Sequence, residues 1–303
     1  VEDVKALVTD IERGATFDGP GIRTVVYFKG CPLRCLWCSN PETQKIENQF
    51  YWDSRKCTKC GDCTKVENSS ITINKDNFWN YNRFLCEDFD TPCRVCPVAG
   101  ALKKVAQDMT VEDVFKIVMK DEKFYRNSGG GVTLSGGEIL VNAAFATKLF
   151  ERLKEEYIDT AIETTGFGSY RELETLAKLT DTVLFDIKHM DSEKHKQYTS
   201  VTNGLILENL TKLSKWHKKI IMRFPFIKGI NDDEKNIHET AKFLKKLNLL
   251  EVNILPYHTM GLEKYRKLRM PYPMKTLEKH TQEELDNALQ IMKSYGLKAK
   301  LNG

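Results

Sequence analysis

Along this chain the apolar positions fall into short β-branched runs separated by longer stretches of helical spacing. The run at 22–28, Ile-Arg-Thr-Val-Val-Tyr-Phe, lies between glycines and predicts a buried strand. Past residue 102 the two patterns alternate. Helix over 111–119 leads to strand 131–134, and helix 143–157 carries Phe145, Leu149, Leu153 and Tyr157 on one face. Strands at 160–163, 182–187, 220–224, 251–255 and 298–301 are separated by helices at 170–179, 192–198, 207–215, 234–247 and 283–295. Ile237, Ala241 and Leu244 mark the inward face of the helix over 234–247. Six β/α units with short links predict an α/β architecture, a parallel sheet curled into a partial or full barrel.

From 50 to 102 the periodicity lapses into short polar segments holding six cysteines. The expected organisation is therefore a barrel from 1–49 and 103–303 with an insert over 50–102. The 303 residues, 41% hydrophobic and 29% charged, suffice for one large core. A net charge of +4 is mild and implies no nucleic-acid partner. No apolar run approaches the ~18 residues of a membrane helix. The stretch Val1-Glu2-Asp3-Val4 is acidic rather than basic and apolar, so a cytoplasmic monomer is expected. In that compartment clustered cysteines read as metal ligands rather than disulfides.

Barrels of this kind collect their chemistry at the C-terminal ends of the strands. After the first strand comes Cys31-Pro32-Leu33-Arg34-Cys35-Leu36-Trp37-Cys38, and after the second Ser135-Gly136-Gly137-Glu138. Glu163-Thr164-Thr165-Gly166 follows the third, Asp186-Ile187-Lys188 the fourth, Arg223 the fifth and Pro256-Tyr257-His258 the sixth. Each has a plainer reading: a glycine turn, an ion pair between Asp186 and Lys188, a helix cap at Glu163, a turn residue at His258. Their common place at one mouth favours a site. Three thiols on one short loop, with no fourth nearby, would hold a four-iron cluster and leave one iron open, since such clusters otherwise take four thiolates. The alternative is a zinc knuckle, whose paired Cys-x2-Cys units do not match a first gap of three residues.

The pattern Cys-x3-Cys-x-aromatic-Cys resembles the signature of the radical S-adenosylmethionine (SAM) enzymes. Asp18-Gly19-Pro20-Gly21-Ile22-Arg23, the run from Ser128 through Glu138, Asp186-Ile187-Lys188-His189-Met190 and Leu255-Pro256-Tyr257-His258 resemble the glycyl radical enzyme activases of that superfamily. The resemblance implies a radical SAM barrel, a partial (β/α)6 barrel, and an oxidoreductase with SAM and a [4Fe–4S] cluster on Cys31, Cys35 and Cys38. It implies that Gly136, Gly137 and Glu138 meet the SAM amino group and that Lys188 meets its carboxylate. It also places Glu163, Thr164 and Asp186 around a monovalent cation, although the family residue at the first of these is aspartate. Trp37, Cys38 and Ser39 would lie on the adenine side with His258 near, and Ile187 and Arg223 would line the cofactor. Asp18, Gly19, Pro20, Gly21 and Arg23 would face the glycine loop of the protein substrate, a glycyl radical enzyme of the dehydratase, lyase or decarboxylase class.

The insert resembles a ferredoxin-like module. In two-cluster ferredoxins the cysteine before proline ligates the cluster of the other run, so Cys57, Cys60, Cys63 and Cys96, which precedes Pro97, form one complete [4Fe–4S] set. Glu67 stands where the first run needs its fourth thiol, and the second run keeps only Cys86 and Cys93, so one auxiliary cluster is expected, with a second cluster or zinc as the alternatives. Its expected job is electron relay from a flavodoxin or ferredoxin. Two rival readings are a radical SAM enzyme with another substrate and a non-catalytic iron–sulfur electron carrier. The former does not explain 18–23, and the latter leaves the strand-end residues without a purpose.

Overall fold

The computed structural model describes residues 4–74, 79–274 and 278–302, so Val1-Glu2-Asp3 lies outside it. In chain order its strands are β1 (Lys5–Ala15), β2 (Arg23–Phe28), β3 (Phe50–Trp52), β4 (Ile71–Ile73), β5 (Trp79–Tyr81), β6 (Leu102–Lys104) and β7 (Gln107–Thr110). Then come β8 (Gly131–Gly136), β9 (Asp159–Thr164), β10 (Thr182–Asp186), β11 (Ile220–Phe226), β12 (Glu251–Pro256) and β13 (Lys298–Leu301). Nine of them form one open sheet in the order β13-β12-β11-β10-β9-β8-β2-β1-β7.

From β2 to β13 every neighbouring pair is parallel. These are the strands that read as apolar runs, because helices cover a parallel sheet and bury it. Helices Ala143–Glu155, Tyr170–Ala177, Gly204–Leu213, Glu234–Lys246 and Gln282–Ser294 alternate with them, as the periodicity predicts. Phe145, Leu149 and Leu153 enter the main core with Ile237, Ala241 and Leu244, whereas Tyr157 is exposed. Helix starts carry their own signals. Thr110 and Asp113 form a capping box for helix Val111–Val118, and Asp191 and Asp233 cap Ser192–Thr199 and Glu234–Lys246.

The sheet is mixed rather than wholly parallel. β1 runs antiparallel to β2, and β7 antiparallel to β1, adding two strands at one edge. The described residues between 50 and 104 add a small unit in which β3 pairs with β6 and β4 with β5. Phe50, Ile71, Trp79 and Leu102 make its separate core. It is tied to the main body through helix Leu262–Leu268: Arg266 donates to Asp53 at 2.9 Å, and Arg55 pairs with both Asp53 and Glu263.

Candidate functional site

The cysteine loop hangs from β2. Lys29 N donates to Leu7 O at 2.9 Å, and the Lys29 ammonium is buried against Glu42 O and Gln49 Oε1. Burial, opposed by Glu42, pulls this lysine down to about 8. The loop's backbone is held from the other side by the end of helix Ser192–Thr199. Arg34 N donates to Thr199 O at 2.7 Å and Leu36 N to Tyr198 O at 3.0 Å. Cys38 N donates to Cys35 O at 3.1 Å, which turns the chain so that Cys31, Cys35 and Cys38, all partly exposed, share one loop. Burial pushes the Cys31 and Cys35 thiols up to about 12 and raises Cys38. Bound iron reverses that balance, since a coordinating thiol is deprotonated outright. No three His, Cys, Asp or Glu side chains among the described residues close on the position of a single metal ion. A four-iron cube makes no such demand, because each thiolate binds its own iron.

The glycine pair after β8 belongs to this loop's support. A Cβ on Gly137 would lie 2.0 Å from Gly30 O, and one on Gly136, where φ is +106°, would lie 2.4 Å from Phe28 N. Only glycine lets the two backbones meet, and they do: Gly137 N donates to Phe28 O and Glu138 N to Gly30 O, both at 2.9 Å. The Glu138 carboxylate is buried and turned toward β9. Thr165 N and Oγ1 donate to its Oε2 at 2.8 and 2.6 Å, and Thr164 Oγ1 and Leu140 N donate to its Oε1. Burial raises its pKa against these four donors. Its side chain thus braces two strand ends, and is not free to meet an ammonium.

Lys188 faces the cysteines. Burial opposes its charge, but Asp186 at 2.9 Å together with Cys35 and Cys31 holds the ammonium above its ordinary pKa. Its carbonyl is fixed by Asn231 Nδ2 at 2.8 Å. The next residues are pinned by Asn236 Oδ1 to Met190 N and by Asn203 Nδ2 to His189 O and Met190 O. These three buried asparagines were not singled out from sequence. A lone Asn in a loop carries no periodic signal, and only its burial marks it.

Three expectations about side chains are corrected. Arg23 does not face outward: it is fully buried. Its Nε donates to Thr133 Oγ1 at 2.6 Å, Nη1 to Asp159 Oδ1 at 2.8 Å, and Nη2 to Val132 O at 2.9 Å. It sits at the first position of β2, pointing into the sheet, and pins the 18–23 loop from behind. Trp37 offers no open face, because its ring is buried with Ile227 and Tyr257. Ile187 places its side chain in the main core, while its N–H joins Arg223 O at 2.9 Å. Ser39 is partly exposed and His258 exposed, with Gly261 packed against the Ser39 backbone. Asp18, Gly19, Pro20 and Gly21 stay partly exposed. Gly21 has φ +70° and lies on Gly130, whose own Cβ would strike Ile22 O at 1.9 Å.

The oxygens expected to surround a cation are engaged by protein groups. Glu163 accepts from Ser135 Oγ and pairs with Arg223, Asp186 pairs with Lys188, and Thr164 Oγ1 donates to Glu138.

In the small unit, Cys57, Cys60, Cys63 and Cys96 line one recess, walled by Trp52, Ile73, Trp79 and Leu102. Cys86 and Cys93 do not line it. Cys93 lies near Lys104 and Asp90, and Cys86 near Ser70 and Asp88. Counting back from Cys96 in the spacing C-x2-C-x2-C-x3-C-P puts thiols at 86, 89 and 92, where the chain has Cys86, Phe89 and Pro92. Phe89 packs on Phe50 with ring centroids 4.8 Å apart, and Glu67 is exposed. Apolar packing occupies the second cluster's register, a signal the spacing of the cysteines alone does not give.

A model of the radical SAM superfamily matches residues 89–244. The chain is 39% identical over 282 residues to the isethionate sulfite-lyase activating enzyme of Oleidesulfovibrio alaskensis, covering 90% of this chain and 91% of that protein. It is 36% identical over 305 residues to the trans-4-hydroxy-L-proline dehydratase activating enzyme of Clostridioides difficile, covering 98% and 99%. A crystal structure of a domain of pyruvate-formate lyase-activating enzyme from Bacteroides vulgatus matches with a TM-score of 0.50 and 31% identity, covering 57% of this chain and 99% of that domain. Within the described residues no helix is long and apolar enough to cross a membrane.

Proposed function

Because the chain belongs to the radical SAM superfamily and, within it, to the glycyl radical enzyme activating enzymes, we propose that its strand-end residues serve glycyl radical formation in a partner enzyme. Held by Cys31, Cys35 and Cys38, a reduced [4Fe–4S] cluster would supply the electron for cleavage of SAM to methionine and a 5′-deoxyadenosyl radical, and that radical would take one hydrogen atom from a partner glycine Cα to give 5′-deoxyadenosine. One observation carries the assignment to these residues. The three-thiol loop, the Gly136–Gly137 contact and the Asp186–Lys188 pair lie at the C-terminal ends of β2, β8 and β10, with only β9 between the last two.

Cys31, Cys35 and Cys38 fit the cluster by donor chemistry, three soft thiols with no fourth. Lys188, kept charged and directed at that loop, holds the SAM carboxylate. Gly136 and Gly137 position the loop and leave carbonyls near the SAM amino group, while Glu138 fixes their distance from β9. Cys38 and Ser39 with exposed His258 form the adenine side. Asp18, Gly19, Pro20 and Gly21 receive the glycine loop, and Arg23 is the positioning residue beneath them. The partner is a glycyl radical enzyme of the dehydratase, lyase or decarboxylase class, and glycine suits it because no side chain blocks approach.

Residues 50–102 act as a ferredoxin-like insert with one auxiliary [4Fe–4S] cluster on Cys57, Cys60, Cys63 and Cys96. Support comes from the recess these four share and from the aromatic packing at Phe89. Exposed Cys60 puts that cluster's edge at the surface, where a flavodoxin or ferredoxin would deliver electrons to a monomeric enzyme. The test is anaerobic incubation of reconstituted protein with SAM and dithionite. Release of 5′-deoxyadenosine is expected, and its loss in Cys35→Ser protein supports the cluster assignment. Its absence from iron-replete wild-type protein would leave the electron-carrier reading.

A further inference from the structure

Arg223, in the middle of β11 and level with the last residue of β10, has its side chain only 16% exposed. Three carboxylates surround its guanidinium: Glu163 in direct contact, Asp18 at 3.7 Å and Asp186 at 3.8 Å. Glu163 and Asp186 are also, with Thr164, the oxygens the family resemblance assigns to a monovalent cation beside SAM. Four of those five oxygens already have a donor, and the fifth, Asp186 Oδ1, lies 3.8 Å from Arg223 Nε. Glu163 Oε1 has Arg223 and Oε2 has Ser135; Asp186 Oδ2 has Lys188 at 2.9 Å and Oδ1 faces Arg223 Nε. Thr164 Oγ1 donates to Glu138 and accepts from Gly166 N at 2.8 Å. A cation site instead needs several oxygens free to converge on one point. Here an added cation would meet two fixed positive groups, Arg223 and Lys188, in a poorly hydrated mouth, where like charges repel most. The longer arm of glutamate, where the family has aspartate, is what reaches the guanidinium.

Resting on the SAM-site reading above, we propose that Arg223 takes the place of the monovalent cation in this protein. Its fixed guanidinium neutralises Glu163 and Asp186 beside SAM, so SAM binding and cleavage need neither potassium nor sodium. Arg223 is then a positioning residue, acting through the two carboxylates. The guanidinium is anchored by the Asp186–Arg223 register of β10 and β11.

The test uses anaerobically reconstituted full-length protein in tetramethylammonium, sodium or potassium chloride at one ionic strength. SAM affinity is read by calorimetry and 5′-deoxyadenosine formation by chromatography. Wild-type values agreeing across the three salts within about twofold are expected. A saturable rise of about tenfold or more with potassium or sodium would overturn the proposal. Arg223→Gln exposes the two carboxylates, so its SAM affinity is expected to fall about tenfold in tetramethylammonium and to recover with potassium, whereas Arg223→Lys stays salt-indifferent. An affinity loss in Arg223→Gln that no alkali cation restores contradicts the substitution of one charge for the other. If that variant fails to fold, the wild-type comparison still decides. A wild-type protein that binds SAM equally in all three salts but never cleaves it supports the inference while refuting the activase reading, so the two failures are separable.

Discussion

Replacing Gly137 by alanine adds one methyl group at the tightest backbone crossing under the cysteine loop. That carbon would lie 2.0 Å from Gly30 O, roughly 1.4 Å inside ordinary contact. Both obstructing groups are backbone, so no side-chain rotation relieves the clash. The ends of β2 and β8 must part, breaking Gly137 N to Phe28 O and Glu138 N to Gly30 O, each 2.9 Å. Two inward backbone groups left unpaired cost about 1–3 kcal/mol each. The expected loss is about 2–6 kcal/mol, a Tm drop on the order of 10 °C. The same shift moves Cys31, one residue beyond Gly30, so iron on the three-thiol loop and SAM cleavage are expected to fall with it. Gly204→Ala is the control, because a Cβ there meets nothing within 4 Å and the residue starts helix Gly204–Leu213. Differential scanning calorimetry and iron analysis of the two variants are the assays. A Gly137→Ala protein with the Tm and iron content of Gly204→Ala would refute the close-approach argument.

Other consequences are independent of that crossing. Arg23→Ala removes a fully buried cation and strands Asp159 and Val132 O, so a loss of about 3 kcal/mol is expected in a denaturant titration; an unchanged midpoint would mean the side chain does face outward. Iron analysis is expected to give about eight irons per chain, falling to about four in Cys57→Ser or Cys96→Ser. It should stay unchanged in the Cys86→Ser, Cys93→Ser double variant, and a fall there would bring back the second auxiliary cluster. His195, 1% exposed with Nδ1 on Val201 O, is pulled down to about 4 mainly by burial. Its folded pKa lies below the ordinary ~6.5, so protons favour the unfolded chain: stability is full above pH ~6.5 and declines toward pH 4, by on the order of 2–3 kcal/mol. His195→Gln should flatten that decline in urea midpoints, and identical pH profiles for the two proteins would contradict it.

The parallel strands and their helices were legible because most of the strands are short apolar, often β-branched runs and each long helix has a repeating apolar face. β1 was not. Its register slips between Val8 and Asp10 and again between Arg13 and Ala15, which breaks the two-residue period, and one of its faces is largely exposed. β7, Gln-Asp-Met-Thr, is a polar edge strand with no pattern to read. Helices Glu122–Ser128 and Leu262–Leu268 span seven residues each, too few for a face to repeat. At the site, the order of strand ends told which residues assemble, since chain order and parallel topology fix which loops share a mouth. It did not tell where long polar side chains turn. The resemblance set Arg23 toward the partner loop and Glu138 toward the SAM amino group, yet both side chains are buried by partners distant in sequence, Asp159 for one and Thr164–Thr165 for the other. Phe89 was invisible for a related reason: a phenylalanine in a cysteine-rich segment draws attention only once its ring is seen on Phe50.

The central claim, that these residues build a glycyl radical in a partner protein, is tested most directly by electron paramagnetic resonance. Reduced, reconstituted protein is mixed anaerobically with SAM and a panel of glycyl radical enzymes of the dehydratase, lyase and decarboxylase classes. A glycine-centred doublet with one 5′-deoxyadenosine per radical is predicted with one of them, and is lost in Cys35→Ser protein. Abundant 5′-deoxyadenosine with no doublet from any partner would contradict the claim and assign the radical to another substrate.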